Sequence, residues 1–352
     1  MKKLNKTFVN NVITYALVII AYAAIMGVQS AGMLSKSMRG QLVPICVYIV
    51  MAVSLNLTVG ISGELSLGHA GFMSVGAFSG GVAAAYLAVS VASPTLRLIL
   101  AMIVGGIFAA IAGVIIGVPV LRLRGDYLAI VTLAFGEIIR NILNCVYIAL
   151  EGTGLRFSFN SAITQSAESV AAGESFKMLI EGPQGLKVGD RIATFTMGFV
   201  LILFTLLVVL NLIHSRAGRA IMAIRDNRIA AESVGVGVTK YKMMSFVISA
   251  ALAGMAGALY GLNYSSTVAS KFSFDTSILV LVFVVLGGIG NIRGSIIAAA
   301  LLTVLPELLR AFNDYRMLIY AIVLIIVMLL TNNERFKQWR EALSRKRAKG
   351  GV

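Results

Sequence analysis

Two pairs of oppositely charged residues lie inside apolar stretches of this sequence and are the first candidates for chemistry. Glu137 and Arg140, like Glu307 and Arg310, are three residues apart, so on a helix each pair shares one face and can form an ion pair. Ionisable groups in such stretches often mark proton or ion pathways. A proton relay needs a chain of titratable groups, and none accompanies either pair. We therefore expect local charge neutralisation, and the alternative is an ion-coupling role for Glu137 or Asp275.

The stretch NLTVGISGELSLGHAGFMSVGAFSGG, residues 56–81, combines glycines with small polar side chains in an otherwise apolar region. Irregular backbone at membrane depth is tolerated only where protein or a water-filled cavity covers it. Broken helices of this kind often line the substrate path of transporters. The alternative is a plain tight turn between two spans. Because no Cys, Asp or second His shares its spacing, we expect His69 to be a hydrogen-bonded structural residue and not a metal ligand.

The elements that carry these residues are apolar. Only 13% of the 352 residues are charged, and the mean hydropathy is +0.90. We predict an all-α polytopic membrane protein with broken or re-entrant segments, forming one domain over residues 1–352 with its membrane bundle at 10–331. It has about ten predicted transmembrane helices, near residues 10–28, 41–60, 71–91, 98–120, 127–149, 192–213, 243–265, 277–290, 295–312 and 317–331.

The net charge of +15 is concentrated in short loops and tails, as expected for cytoplasmic segments of a membrane protein. An even number of spans places both termini in the cytoplasm, including the basic tail at 332–352. It also places residues 151–191 outside the cell and residues 214–242 inside. Lys36 and Arg39 fall on the side that this rule disfavours. No basic patch is interleaved with exposed aromatic residues on a soluble domain, so we exclude nucleic acid as a partner.

The stretch RAGRAIMAIRDNRIAAESVGVGVTKYK, residues 216–242, is longer than a chain reversal requires. Asn227 or Asp226 can cap a helix here, small apolar residues follow at helical spacing, and Gly235 is a good left-handed terminator. One or two helices of this length persist only when docked against something. We predict that they dock into a cytoplasmic protein, and the alternative is an interfacial helix lying on anionic lipid.

Glycines inside the apolar segments predict close helix packing, because helices in lipid associate through small residues that let backbones approach. Other motifs are absent from the sequence. It contains no G-x-x-x-x-G-K-[ST] phosphate loop, serine elbow, zinc motif or paired catalytic carboxylates, so we expect no enzymatic activity and no cofactor bound by this chain. The glycines predicted to make helix contacts are Gly105, Gly106, Gly113, Gly117, Gly254 and Gly257.

Five stretches resemble, in order, the LivM-type permeases of branched-chain amino acid ABC importers. The resemblance covers roughly residues 40 to 332. It is carried by SLNLTVGISGELSLGHAGFMSVGAF, LRLRGDYLAIVTLAFGEIIRNIL, GPQGL, RAIMAIRDN and LGGIGNIRGSIIAAALLTVLPELLR. Closely similar permeases serve urea and short-chain amide importers, so these solutes are alternatives. A self-sufficient ion-coupled secondary transporter and a membrane scaffold are less favoured alternatives.

The resemblance implies an ABC importer permease bundle in the cytoplasmic membrane of a prokaryote. It implies a homologous second permease, two cytoplasmic ABC ATPases that hold ATP and magnesium, an extracytoplasmic solute-binding protein and surrounding lipid. The family's coupling segment corresponds to Arg219–Gly235, within the predicted cytoplasmic loop at 214–242. The predicted ATPase contacts are Arg219, Arg225, Asp226, Asn227, Ala230, Ala231, Glu232 and Gly235. The predicted translocation path is lined by Ser62, Gly63, Ser66, Gly68, His69, Gly71 and Phe72.

Overall fold

A computed structural model describes residues 6–33, 35–123, 125–151, 154–159, 176–310 and 315–332, and these are mostly helical. A helix coincides with each of the predicted apolar segments. These helices are α1 (Lys6–Ser30), α2 (Lys36–Asn56), α3 (His69–Leu87), α4 (Pro94–Val120), α5 (Asp126–Asn144), α6 (Phe195–His214), α9 (Val238–Gly261), α10 (Phe274–Gly287), α11 (Ile292–Leu308) and α12 (Arg316–Asn332). Two shorter helices, α7 (Arg216–Asp226) and α8 (Arg228–Ser233), lie between α6 and α9.

Six helices in the described ranges are long and apolar enough to cross a membrane: α1, α2 with its continuation to Ile61, α3, α4, α6 and α9. The protein is therefore polytopic. The remaining helices fall short of that criterion for physical reasons. α10 has 14 residues, or about 21 Å at 1.5 Å per residue. α11 and α12 have 17 residues each, and α5 contains three charged residues, Asp126, Glu137 and Arg140.

The bundle is organised around α2, which is buried along nearly its whole length. α2 packs against α6, α9, α10 and α11, and α3, α4 and α9 form a second tightly packed group beside it. A Cβ built on Gly254 of α9 would lie 2.6 Å from the backbone oxygen of Gly105 in α4, and one on Gly105 would lie 2.8 Å from that of Gly76 in α3. The predicted role of these glycines in helix contacts is confirmed. The same holds for Gly106, Gly113, Gly117 and Gly257, which face Met255, Ala250, Met243 and Met73 respectively.

A five-stranded antiparallel sheet, which the all-α prediction did not include, lies at one end of the bundle. Its order is β2-β1-β3-β4-β5, and β5, which follows α9, pairs with β4. Leu186 of β4 is fully buried and packs against Gly81 of α3. The strands are β1 (Tyr147–Glu151), β2 (Gly154–Ser158), β3 (Phe176–Glu181), β4 (Leu186–Lys187) and β5 (Ser266–Thr267).

The sheet and the short helices lie at opposite ends of α9, because α8 ends just before this helix begins and β5 follows directly after it ends. The described residues of the predicted extracytoplasmic segment at 151–191 therefore lie at the sheet end, and the predicted segment at 214–242 lies at the other end. Residues 152–153 and 160–175 of the first segment, and residues 333–352 of the predicted basic tail, lie outside the described residues.

Candidate functional site at the broken helix

The break between α2 and α3 starts as a π-helix, Leu57–Ile61, that continues α2. Its wider turn shows in the hydrogen bond from the Ser62 N–H to the Leu57 carbonyl, at 3.1 Å. Gly63 then takes a left-handed φ of +74°, which reverses the chain before α3 begins. π-turns inside helices occur frequently at functional sites. We call residues 57–68 the broken segment.

Asn56, directly before the break, connects α2 to the glycine-rich stretch between α10 and α11. The side chain is fully buried. Its Nδ2 donates to Oγ of Ser295 at 2.9 Å, and its Oδ1 accepts from the backbone N–H of Gly290 at 2.8 Å. Asn56 therefore links the break after α2 to the glycine-rich stretch between α10 and α11. Sequence reasoning did not single out Asn56, because its partners lie more than 230 residues away.

His69, the first residue of α3, is buried and hydrogen-bonded. Its Nε2 lies 2.8 Å from Oγ of Ser54 in α2, and the Ser54 carbonyl accepts from Ser249 of α9 at 2.6 Å. The neighbouring N–H of Ala70 donates to Oγ of Ser277 in α10 at 3.1 Å. The prediction that His69 is hydrogen-bonded is confirmed.

Three of the predicted path residues pack helices together. A Cβ on Gly71 would lie 2.9 Å from Cα of Gly136 in α5, and Gly68 lies against Thr132 of the same helix. The ring of Phe72 is buried and meets that of Phe246 edge to face at 5.4 Å. Close packing explains why these positions are small or aromatic.

Ser62 and Ser66 differ from the other predicted path residues, because their hydroxyls are buried without a hydrogen-bond partner among the described residues. The hydroxyl of Thr58, one turn before Ser62, is in the same condition. An unpaired buried hydroxyl costs on the order of 1–3 kcal/mol. Buried polar groups in proteins are otherwise satisfied by protein or by ordered water. The broken segment thus offers hydrogen-bonding groups to a polar molecule.

The short helices α7 and α8 are capped as their sequence requires. Oγ of Ser215 accepts from the N–H of Gly218 at 3.1 Å, and Oδ1 of Asn227 accepts from that of Ala230 at 3.1 Å. Gly235 ends this region with φ of +83°. Of the two predicted caps, Asn227 is the one used, and the role of Gly235 as a left-handed terminator is confirmed.

Ile229 of α8 and Val234, directly after this helix, form an exposed apolar pair in a charged surface. Ile229 is 80% exposed and Val234 is 77% exposed, whereas Ala231 is only 4% exposed and packs against Ile224 and Val238. Ala231 was predicted as a partner contact, and this prediction is wrong. The residue lies on the inner side of α8 and packs against the bundle. Arg228, next to the apolar pair, forms an ion pair with Glu232 at 2.9 Å. The other predicted contacts are exposed: Arg219, Arg225, Asp226, Asn227, Ala230, Glu232 and Gly235.

Two polar links join residues 214–242 to the broken segment. Nη1 of Arg225 donates to the Gly60 carbonyl at 2.9 Å, and its other nitrogens are held by Asp226. The largely buried pair of Lys242 and Glu64 forms the second link. Sequence reasoning placed Arg225 in this region but predicted neither link, since no local pattern relates residues so far apart in the chain.

The predicted local ion pairs are confirmed. Arg140 lies 2.5 Å from Glu137, whose Oε1 also accepts from the N–H of Phe274 at the start of α10. The negative charge of Glu137 is therefore balanced by a cation and by a helix N-terminus. Glu307 and Arg310 pair at 3.2 Å. Asp275, the other residue considered for ion coupling, is exposed in the first turn of α10.

A helical bundle with a broken central span and two short helices at one end is consistent with a polytopic membrane permease. The chain matches the family described as "branched-chain amino acid transport system / permease component" over residues 37–328, and it belongs to that family. No solved structure matches the chain.

Curated relatives agree with this assignment. The chain is 36% identical over 294 residues to the high-affinity branched-chain amino acid permease LivM of Escherichia coli K12. That match covers 80% of this chain and 66% of LivM, so it spans slightly less than two thirds of the relative. The permease LivH of Salmonella typhimurium is 32% identical over 119 residues, which cover 33% of this chain and 38% of LivH. The E. coli ribose import permease RbsC is 27% identical over 296 residues, covering 81% of this chain and 82% of RbsC.

Proposed function

We propose that this chain is the permease subunit of an ATP-driven importer of branched-chain amino acids in a prokaryotic cytoplasmic membrane. Family membership over residues 37–328 carries the proposal. The names of its LivM relatives favour Leu, Ile and Val as cargo over urea or short amides. The balanced charge of Glu137 speaks against an ion-coupled transporter, because a coupling carboxylate must exchange its cation.

We infer the partners from the absence of a phosphate loop in the sequence and from the exposed surface of α7 and α8. Its sequence has no phosphate loop, so ATP and magnesium are held by two cytoplasmic ATPase subunits. The ATPases dock on α7 and α8, where exposed Ile229 and Val234 form an apolar pair in a charged surface. The similarity to LivH supports a homologous second permease. An extracytoplasmic solute-binding protein delivers the cargo at the opposite end, beside the sheet.

The solute passes the broken segment on its way to the cytoplasm. The unpaired hydroxyls of Ser62, Ser66 and Thr58 support this route, since a polar solute or its water can take up hydrogen bonds that the protein leaves unmade. Weak, neutral groups of this kind suit a cargo that must be released and not retained.

The ten helices that coincide with the predicted apolar segments alternate in direction across the membrane, so that both termini are cytoplasmic. Contacts at the two ends support this order. At the α7 end, the broken segment meets Gly290, and Arg293 of α11 donates to Thr14 of α1 at 2.7 Å. At the sheet end, Arg310, two residues after α11, donates to Ser37 of α2 at 2.6 Å.

Replacing Ile229 and Val234 with Asp tests the docking surface. We expect the doubly substituted permease to insert normally but to lose copurification of the ATPases and ATP-driven uptake of labelled leucine, because two charges enter an apolar contact. Val89→Asp is the matched control, since Val89 is 64% exposed and follows α3 at the sheet end. Normal uptake by the Ile229→Asp/Val234→Asp protein would refute docking on this surface.

The choice of cargo is tested in proteoliposomes holding the permease pair, the ATPases and the solute-binding protein. We expect ATP-dependent leucine uptake that unlabelled isoleucine and valine reduce and urea does not. Uptake of urea or an amide in place of leucine would show that the chain is the permease of a urea or amide importer. Leucine uptake driven by an ion gradient without ATP would overturn the proposal.

A further inference from the structure

We propose that Arg225 is a positioning residue that makes the short helices α7 and α8 and the broken segment move as one body. The inference rests on the proposed function, because it assigns a path by which ATPase motion reaches the span. It concerns an interaction inside this chain and not the docking contact itself.

The guanidinium of Arg225 is held in one orientation by hydrogen bonds to two partners, the Asp226 carboxylate and the Gly60 carbonyl. Asp226 Oδ1 accepts from Nε at 3.1 Å and from Nη2 at 3.0 Å, which leaves Nη1 directed at the Gly60 carbonyl at 2.9 Å. Carbonyls in the last turn of a helix have no partner within that helix. The Gly60 carbonyl lies in the last turn of the π-helix that continues α2. Arg225 therefore donates the hydrogen bond that the backbone of this helix does not provide.

The stem of the same side chain packs on the reversal of the broken segment. A Cβ built on Gly63 would lie 2.7 Å from Cγ and 3.5 Å from Cβ of Arg225. Glycine at this position thus provides both the left-handed φ and the room for the arginine. The contact is steric as well as polar, so a displacement of α7 pushes directly on the backbone of the break.

A second tether acts in parallel. Lys242, near the start of α9, pairs with Glu64, and both side chains are largely buried. The short helices are consequently attached to the broken segment both before and after α8. Two attachments on either side of one docking surface transmit rotation as well as translation, whereas a single one would act as a pivot.

The test measures ATP hydrolysis and leucine uptake separately in the fully assembled importer in proteoliposomes. For Arg225→Met we expect ATP hydrolysis to continue while uptake per ATP falls about tenfold, the scale of one lost hydrogen bond to a charged group. Arg225→Lys, which keeps a donor, recovers part of the uptake. Arg122→Met removes the same charge from an exposed position that follows α4, outside α7 and α8, and is the matched control.

A cross-link gives a second readout. The Cβ separation of 3.5 Å between positions 63 and 225 lies within the range of disulfides. In a Cys145→Ser background, we expect the Gly63→Cys/Arg225→Cys permease to be uncoupled when reduced and recoupled when oxidised, with Gly63→Cys alone as the reference for backbone strain. A purely structural role for Arg225 would not produce this redox-dependent recovery.

The outcomes separate the two proposals. If the wild-type complex imports leucine and Arg225→Met matches the Arg122→Met control, this inference is wrong and the proposed function stands. If oxidation of the cysteine pair blocks uptake or leaves it unchanged, the two elements do not move as one body, and the inference also fails. If the wild-type complex hydrolyses ATP but imports none of the branched-chain amino acids, the proposed function itself fails.

Discussion

At the scale of single residues, Asn56 illustrates how this bundle holds its interrupted regions in place. An asparagine in the interior of a membrane bundle is costly unless its amide is satisfied. Asn56 meets this condition by bonding to Ser295 and to the N–H of Gly290, which sits in a left-handed turn. One polar side chain therefore fixes the glycine-rich turn before α11 against the end of α2.

We expect Asn56→Leu to lower the free energy of unfolding by about 1–3 kcal/mol, because it leaves the Gly290 N–H unpaired. The Ser295 hydroxyl keeps its hydrogen bond to the Asn291 carbonyl at 3.2 Å. Denaturant unfolding of the purified protein in detergent measures the change. Asn141→Leu, at an exposed position of α5, is the control and should shift stability by less than about 0.5 kcal/mol. Equal stability of the two variants would show that the Asn56 bonds contribute nothing net.

The sequence predicts residue roles that depend on near neighbours. Asn227 caps the helix that starts beside it, and Glu137 pairs with a residue three positions on, because helical geometry alone brings these groups together. The partners of Asn56 and Arg225 depend on how distant segments meet. Glycine, serine and arginine have no spacing rule that would reveal such contacts, so the polar links were not predictable.

At the scale of elements, α3, α4 and α9 approach closely because glycines remove the side chains between them. We expect Gly254→Ala to destabilise the protein by about 1–3 kcal/mol through overpacking. The added methyl would meet Ala109 and the Gly105 carbonyl. Gly27→Ala is the matched control, since nothing lies within 4 Å of a Cβ there, and it should stabilise α1 by up to about 1 kcal/mol. Thermal unfolding in detergent compares the two, and an unaffected Gly254→Ala protein would contradict this packing.

The helices were predictable and the sheet was not, for one physical reason. A long apolar run identifies a membrane helix by itself, and each predicted run became a helix. Strands as short as β4 and β5, with two residues each, carry no periodicity that a sequence reveals. Their pairing also joins residues before α6 to residues after α9, which only the assembled bundle brings together.

At the scale of the whole molecule, the two ends of the bundle have different tasks, and the proposed orientation assigns each end to a side of the membrane. Ser233, exposed at the end of α8, should face the cytoplasm, and Ser90, exposed after α3, should face outward. Cys145 is exposed near the sheet end and Cys46 is buried, so Cys145→Ser gives a background without a reactive native thiol.

In that background, a membrane-impermeant maleimide should label Ser90→Cys in intact cells and Ser233→Cys only after the membrane is permeabilised. The reason is that α3 and α9 both start at the end where α7 and α8 lie and finish at the sheet end. Ser90 follows the end of α3 and Ser233 precedes the start of α9, so the full depth of the bundle separates them. Labelling of Ser233→Cys in intact cells would invert the topology. ATPases in the cytoplasm could not then reach Ile229 and Val234, and the bundle would need another source of mechanical work.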